Sequence, residues 1–160
     1  MKEKVFAFLN TQGIAYQMTE HPAVYTMADM DALGLDKMGV IPKNLFLRDG
    51  KGKQHFLVCA AENTQVNLKE LGEKLQAKKL GFASADRLME HLGVCAGSVS
   101  PFGILNDANH AVTVIFDSTL VGVSQLGVHP NDNTATVWLS FEDLQKAVCA
   151  AGNKIQIIKF

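Results

Sequence analysis

Apolar residues follow a helical period in some stretches of this chain and a strand period in others. Val5, Phe6, Phe8 and Leu9 gather on one face of a helix running from about Lys2 to Thr11, and Gly13 stands where a C-terminal cap belongs. Ile14 to Met18 then reads as a short strand. Thr26, with Asp29 three residues on, caps a second short helix that Gly34 ends. Lys43 to Arg48 and His55 to Ala60 are apolar-rich strands, and Asp49-Gly50-Lys51-Gly52 between them is a strong hairpin signal. Asn67, followed by Glu70, and Ser84 cap two more helices, the second closing at Gly93. Ala111 to Phe116 and Thr134 to Leu139 are rich in β-branched residues, with glycine and proline between them. Ser140-Phe141-Glu142-Asp143 resembles a capping box that opens a helix to about Ala151, and Gly152 follows. Lys154 to Lys159 alternates as a final strand.

These elements are interspersed without a regular βαβα alternation, and no G-x-G-x-x-G follows a strand, which argues against a doubly wound nucleotide fold. The pattern predicts an α+β fold with a mixed, strongly curved sheet and helices around it. No repeat, low-complexity segment or long linker divides the chain. Its 160 residues fit one domain, 1–160, with a sizeable core.

Apolar residues make up 48% and charged residues 19%, the composition of a soluble globular protein. No apolar run approaches the ~20 residues that span a bilayer. Met1 to Asn10 lacks the basic and apolar regions of a signal peptide, so a cytoplasmic location with no membrane contact is the expectation. Cys59, Cys95 and Cys149 are widely spaced and suit a reducing compartment. Each sits in an apolar stretch and is expected to be a buried structural thiol. The formal net charge of −1 excludes a broad grip on a nucleic-acid duplex, so any RNA contact must be local. Lys37, Lys43, Arg48, Lys51 and Lys53 fall close together in sequence, and Lys78, Lys79 and Arg87 form a second basic group. A solvated face is the plain reading of both, contact with an RNA stem the sharper one for the second.

Three segments carry loop chemistry beside strands. In Pro42-Lys43-Asn44 the lysine offers a point charge for a phosphate and the amide offers directed hydrogen bonds, although a lysine at a strand start is ordinarily just exposed. Gly97-Ser98-Val99-Ser100-Pro101 is either an ordinary turn or a loop whose backbone N–H groups stabilise an ester oxyanion. In Gly127-Val128-His129-Pro130-Asn131-Asp132-Asn133 the histidine is either a surface residue or one that orients a substrate. His21, His55, His91, His110 and His129 show no metal-ligand spacing, and no G-x-S-x-G elbow marks a serine nucleophile. A Cys–His pair stays open, because such partners meet only in the fold.

At these segments the chain resembles the YbaK/ProRS-associated family of aminoacyl-tRNA editing domains, most closely its free-standing bacterial alanyl-tRNA(Pro) deacylase type. The resemblance runs from His21-Pro22-Ala23-Val24-Tyr25-Thr26 to the last strand. It is carried by Lys43-Asn44-Leu45-Phe46-Leu47-Arg48-Asp49, Phe82-Ala83-Ser84, Gly97 to Gly103, Leu105-Asn106-Asp107 and His129-Pro130, each weak alone and specific in combination. It implies a curved α+β fold and metal-free, cofactor-free hydrolysis of the ester at the 3′ end of a mischarged tRNA. The substrate's own ribose hydroxyl would help to activate water, and positioning would supply much of the rest. Lys43 is then expected to hold the terminal phosphate, the Gly97 loop to shape the amino-acid pocket and donate hydrogen bonds, and His129 to position the aminoacyl group. Asn44, Ser98, Val99, Ser100, Pro101, Phe102, Gly127 and Pro130 are expected to line the substrate. The implied partner is the tRNA acceptor end, with no stable protein partner beyond a transient synthetase contact. Alanine is the expected amino acid, with cysteine or serine as alternatives of the same family; a catalytically silent aminoacyl-tRNA or synthetase-binding module is a reading of another class. Ala96 departs from the pattern, since many relatives are expected to carry proline there.

Overall fold

A computed structural model describes residues 1–160. The first helix, α1 (Lys2–Thr11), buries Val5 and Leu9 and ends at Gly13, whose φ of 68° is the left-handed conformation of a helix stop. The Ile14 N–H closes that stop on the Leu9 carbonyl at 3.0 Å, so Ile14 belongs to the cap. The first strand therefore starts later than the apolar pattern predicts, as β1 (Gln17–Glu20).

Next comes α2 (Met27–Ala32), held by a reciprocal capping box between Thr26 and Asp29. The hairpin strands β2 (Lys43–Arg48) and β3 (His55–Ala60) have the predicted limits. They are followed by α3 (Leu68–Leu75), β4 (Gly81–Phe82) and α4 (Ala85–Leu92), the two helices capped by the side chains of Asn67 and Ser84. The second half contains β5 (Val112–Asp117), β6 (Leu126–Val128), β7 (Ala135–Leu139), α5 (Phe141–Ala151) and β8 (Ile155–Ile158).

The expected mixed sheet has the order β4-β2-β3-β5-β8, antiparallel through β3 and parallel from β3 to β8. The remaining strands form a separate antiparallel sheet, β1-β7-β6, tied to the chain ahead of β2 by a bridge between Val40 and Leu126. Every residue of β3 is buried because both faces of this central strand are covered. Leu57 and Cys59 face the main core with α1, α4, α5 and the small sheet, while Phe56 and Val58 pack with Leu71 and Leu75 of α3. A third cluster joins Val24, Met30 and Leu35 to Trp138 and seats α2 on the small sheet. No helix is long and apolar enough to cross a membrane.

Only one cysteine follows the expectation of burial. Cys59 is buried, whereas Cys95 and Cys149 are exposed. Cys149 follows the buried Ala147 and Val148 but turns onto the outer face of α5, since one helical step rotates a side chain by about 100°.

At the hairpin end, the Arg87 guanidinium donates to the Gly52 carbonyl at 3.0 Å and lies 3.1 Å from His55 Nε2. A guanidinium can only donate, so Nε2 accepts and His55 is neutral. Burial, with His91 and Arg87 adding repulsion against the opposing Asp49 and Glu90, lowers His55 from 6.5 to about 4. Folding thus favours the uncharged ring, and the associated stability is complete above pH 6.5 and lost as pH falls through about 4. Thermal melts of wild type and His55→Gln across that interval should converge toward acid, and parallel curves would show that His55 does not titrate there.

Candidate active site

The start of β2 and the end of β6 face each other across a cleft of about 190 Å³. Ile41, Pro42, Lys43 and Asn44 form one side, and Gly127, Val128 and His129 another. The loop Ala96–Val99 and the segment from Val24 to Met30 close the remaining walls. The cleft therefore lies where the two sheets meet, with its walls on separate elements.

Lys43 is half-buried, and its ammonium donates to the Thr64 carbonyl in the loop after β3. That loop is fixed in turn by Asp117, which is buried at the end of β5. One Asp117 oxygen accepts from the Ala61 N–H at 3.0 Å and the Thr64 hydroxyl at 2.6 Å, and the other accepts from the Thr119 N–H at 3.0 Å. Burial pushes the Asp117 carboxyl upward, but the hydrogen bonds from Thr64, Thr119 and Ala61 outweigh it and hold it below the usual range. Beside Lys43, the Asn44 amide oxygen is buried without any partner. Such an orphan acceptor calls for an explanation.

Across the cleft, Ala96–Ser98 makes one 3-10 turn closed by the Ser98 N–H on the Cys95 carbonyl at 2.9 Å. The N–H groups of Gly97 and Val99 make no hydrogen bond within the chain. A Cβ on Gly97 would sit 3.1 Å from the Tyr25 ring, so glycine lets the loop and that ring approach closely. His129 Nδ1 lies 3.0 Å from the Ala135 carbonyl. A carbonyl only accepts, so Nδ1 carries the proton and Nε2 has a free lone pair. Burial lowers the His129 pKa, the Ala135 hydrogen bond opposes this, and neighbouring His21 adds to the lowering. The ring is accordingly neutral near pH 7.

Comparison with known proteins gives this cleft its context. The aminoacyl-tRNA editing domain family matches residues 21–147. The prolyl-tRNA editing protein ProX of Acetoanaerobium sticklandii is 49% identical, over 99% of this chain and 96% of its own. The chain belongs to the aminoacyl-tRNA editing family. The prolyl-tRNA synthetase associated domain-containing protein 1 of Mus musculus is 33% identical, over 95% of this chain and 92% of its own. A crystal structure described as a candidate trans-editing enzyme for prolyl tRNA synthetase shares the fold, with a TM-score of 0.74 at 22% identity and coverage of 99% and 96%. Membership makes this protein an editing enzyme, a deacylase of aminoacyl-tRNA, as the resemblance implies.

Within this editing domain, Lys43, Asn44, Gly97, Val99, Gly127 and His129 line one cleft. Ser98, Ser100, Pro101, Phe102 and Pro130 are not among its lining residues. Ser100 is fully buried and its hydroxyl accepts from the Phe102 N–H at 3.2 Å, starting a 3-10 segment in which Pro101 and Phe102 are buried. These residues brace the loop. Gly127 and Val128 prove to be strand, and a Cβ on Gly127 would lie 2.5 Å from buried Trp138, so only glycine fits that strand against the indole.

Sequence reasoning missed the wall made by Val24, Tyr25, Met27 and Met30, and the Thr64–Asp117 support behind Lys43. The Thr26 capping box was the available signal that a helix stands beside the site. The cysteine alternative loses its candidates. Burial, with Asp117 nearby, pushes the Cys59 thiol far up, and neither exposed cysteine lines the cleft. No three histidine, cysteine or acidic side chains come together as a metal cage.

Proposed function

We propose that this editing enzyme acts in trans, as one domain in the cytoplasm, to remove a wrong amino acid from tRNA for proline, with alanine as the chief substrate. The observation that carries the reading is the meeting of a lysine ammonium with two spare donors, two unpaired backbone N–H donors and a neutral histidine in one small cleft. ProX of Acetoanaerobium sticklandii, at 49% identity, is a prolyl-tRNA editing protein by name, which supports the choice of tRNA.

Lys43 has three N–H donors and spends one on Thr64, leaving two for the phosphate of the terminal adenosine. The Asn44 amide oxygen accepts from the substrate's amino group, and His129 Nε2 holds the aminoacyl group from the other side. Water adds to the ester carbonyl carbon, and the N–H groups of Gly97 and Val99 receive the negative charge that develops on the carbonyl oxygen. The ester C–O bond then breaks. The proton lost by water passes through the neighbouring ribose hydroxyl to the departing ribose oxygen, giving free amino acid and intact tRNA. No protein nucleophile and no cofactor or metal takes part.

A cleft of about 190 Å³ walled by Met27, Met30 and Ile41 excludes large side chains by clash. It separates alanine from serine or cysteine less sharply, because small differences in an apolar pocket are worth only ~1–3 kcal/mol. The test is a panel of alanyl-, cysteinyl- and seryl-tRNAs incubated with purified protein and excess chelator. Fastest release of alanine from alanyl-tRNA bearing a proline anticodon is expected. Release led by cysteine or serine would overturn the specificity, and binding without release from any member would leave a silent binding module.

A further inference from the structure

The two basic groups of the sequence are rearranged by the fold. Lys43 stays at the cleft, whereas Lys51 and Lys53 lie on the hairpin at the far end of β2. Lys78 and Lys79, distant in sequence, are brought to the same hairpin. The Gly50 N–H donates to the Lys78 carbonyl at 2.8 Å, and a Cβ on Gly50 would lie 2.8 Å from the Lys79 Cβ. All four lysines are exposed, and the chain's two ion pairs are elsewhere, at Met1–Glu3 and Lys2–Glu20. The neighbouring acid, Asp49, is buried and turned toward the N–H groups of Lys53 and Gln54, at 2.7 and 3.0 Å. In a chain of net charge −1, this end of the sheet concentrates unpaired positive charge.

The same edge carries an aromatic. Phe82 is 61% exposed on the two-residue strand β4, opposite Leu47 of β2. The chain runs beside β2 from Gly81, opposite Arg48, to Ala83, whose N–H donates to the Phe46 carbonyl at 3.0 Å. Phe82 thus stands between the lysine cluster and the Lys43 end of the strand. At a rise of about 3.3 Å per residue, Arg48 is about 17 Å from Lys43 along β2.

We propose that this edge is a tRNA-docking strip: Phe82 stacks on a base of the unpaired 3′ end, and Lys51, Lys53, Lys78 and Lys79 contact phosphates of the acceptor stem. The inference rests on the tRNA reading of the cleft and adds where the stem lies. Lysines without fixed partners grip phosphates irrespective of sequence, and an exposed aromatic accepts any base face. A duplex stem needs its phosphates met at a distance from the reacting end. The strip satisfies this without a basic protein overall, because the charge is local.

Binding of uncharged tRNA, measured against salt, tests the strip independently of turnover. Changing the four lysines to glutamine should weaken binding at least about tenfold at low salt and flatten the log–log salt slope by about 3. Phe82→Ala should weaken binding about tenfold with the slope unchanged. Deacylation of an aminoacylated CCA trinucleotide should be the same in wild type and the lysine variant. Unchanged tRNA affinity and slope in a folded lysine variant would overturn the strip, as would an equal loss on the trinucleotide. Failure of wild type to deacylate any substrate would instead strike the proposed function, while the tRNA-binding comparison still judges the strip.

Discussion

Lys43→Ala should lower kcat/KM for alanyl-tRNA about ten- to hundredfold, mostly as a rise in KM. Hydrogen bonds to charged groups are worth about 1.5–3 kcal/mol, and each 1.4 kcal/mol is tenfold. A phosphate anchor grips ground and transition states alike, so its loss appears mainly in binding. The Thr64 carbonyl fixes one donor of this ammonium and so fixes where the other two are presented. Lys43→Arg should therefore restore little: a planar fork cannot hold that carbonyl and offer the same point charge to the phosphate. Single-turnover and steady-state deacylation separate the two constants. Full activity in the alanine variant would remove Lys43 from the site, and a loss confined to kcat would give it a role in the chemical step.

The parts legible in the sequence are those set by local chemistry. Thr26, Asn67, Ser84 and Ser140 each cap a helix through the side-chain contact their spacing predicts, and the Asp49–Gly52 turn fixes both limits of the hairpin. The parts that were not legible depend on distant partners. The division of strands into two sheets is decided by β1 pairing with β7, more than a hundred residues away. The strand β6 is three residues long, and its glycine reads as a loop until Trp138 is placed against it. Of the site, Lys43, the Gly97 loop and His129 were visible because lysine, glycine and histidine offer chemistry wherever they fall. Tyr25 was not, because an exposed tyrosine beside a short helix has no signature of its own. Ser100 and Phe102, which the resemblance implies to line the substrate, are buried beside the loop, a placement their residue types alone do not reveal.

Asp117 is the residue at which support and function separate most cleanly. Both of its oxygens accept, one from Ala61 and Thr64 and the other from Thr119. Asparagine cannot replace it, since an amide offers one accepting end and points its NH2 at donors on the other. Asp117→Asn should therefore destabilise the fold, each buried donor left unmet costing about 1–3 kcal/mol. It should also raise KM, because Thr64 would no longer hold its carbonyl under the Lys43 ammonium. Stability alone cannot account for both effects if they are read by a double-mutant cycle. When Asp117 acts through Lys43, Asp117→Asn should cost much less kcat/KM in a Lys43→Ala background than in wild type, with each variant assayed well below its melting temperature. Additive losses would make Asp117 a structural residue with no part in presenting the lysine. The wild-type acid profile gives the second check. The Asp117 carboxyl is held below the usual range, so its contribution is complete above the ordinary carboxylate pKa of about 3.9 and disappears as pH falls through the lowered value. The cost of Asp117→Asn, measured as a difference in melting temperature, should shrink only in that acid window and stay constant from there to neutrality.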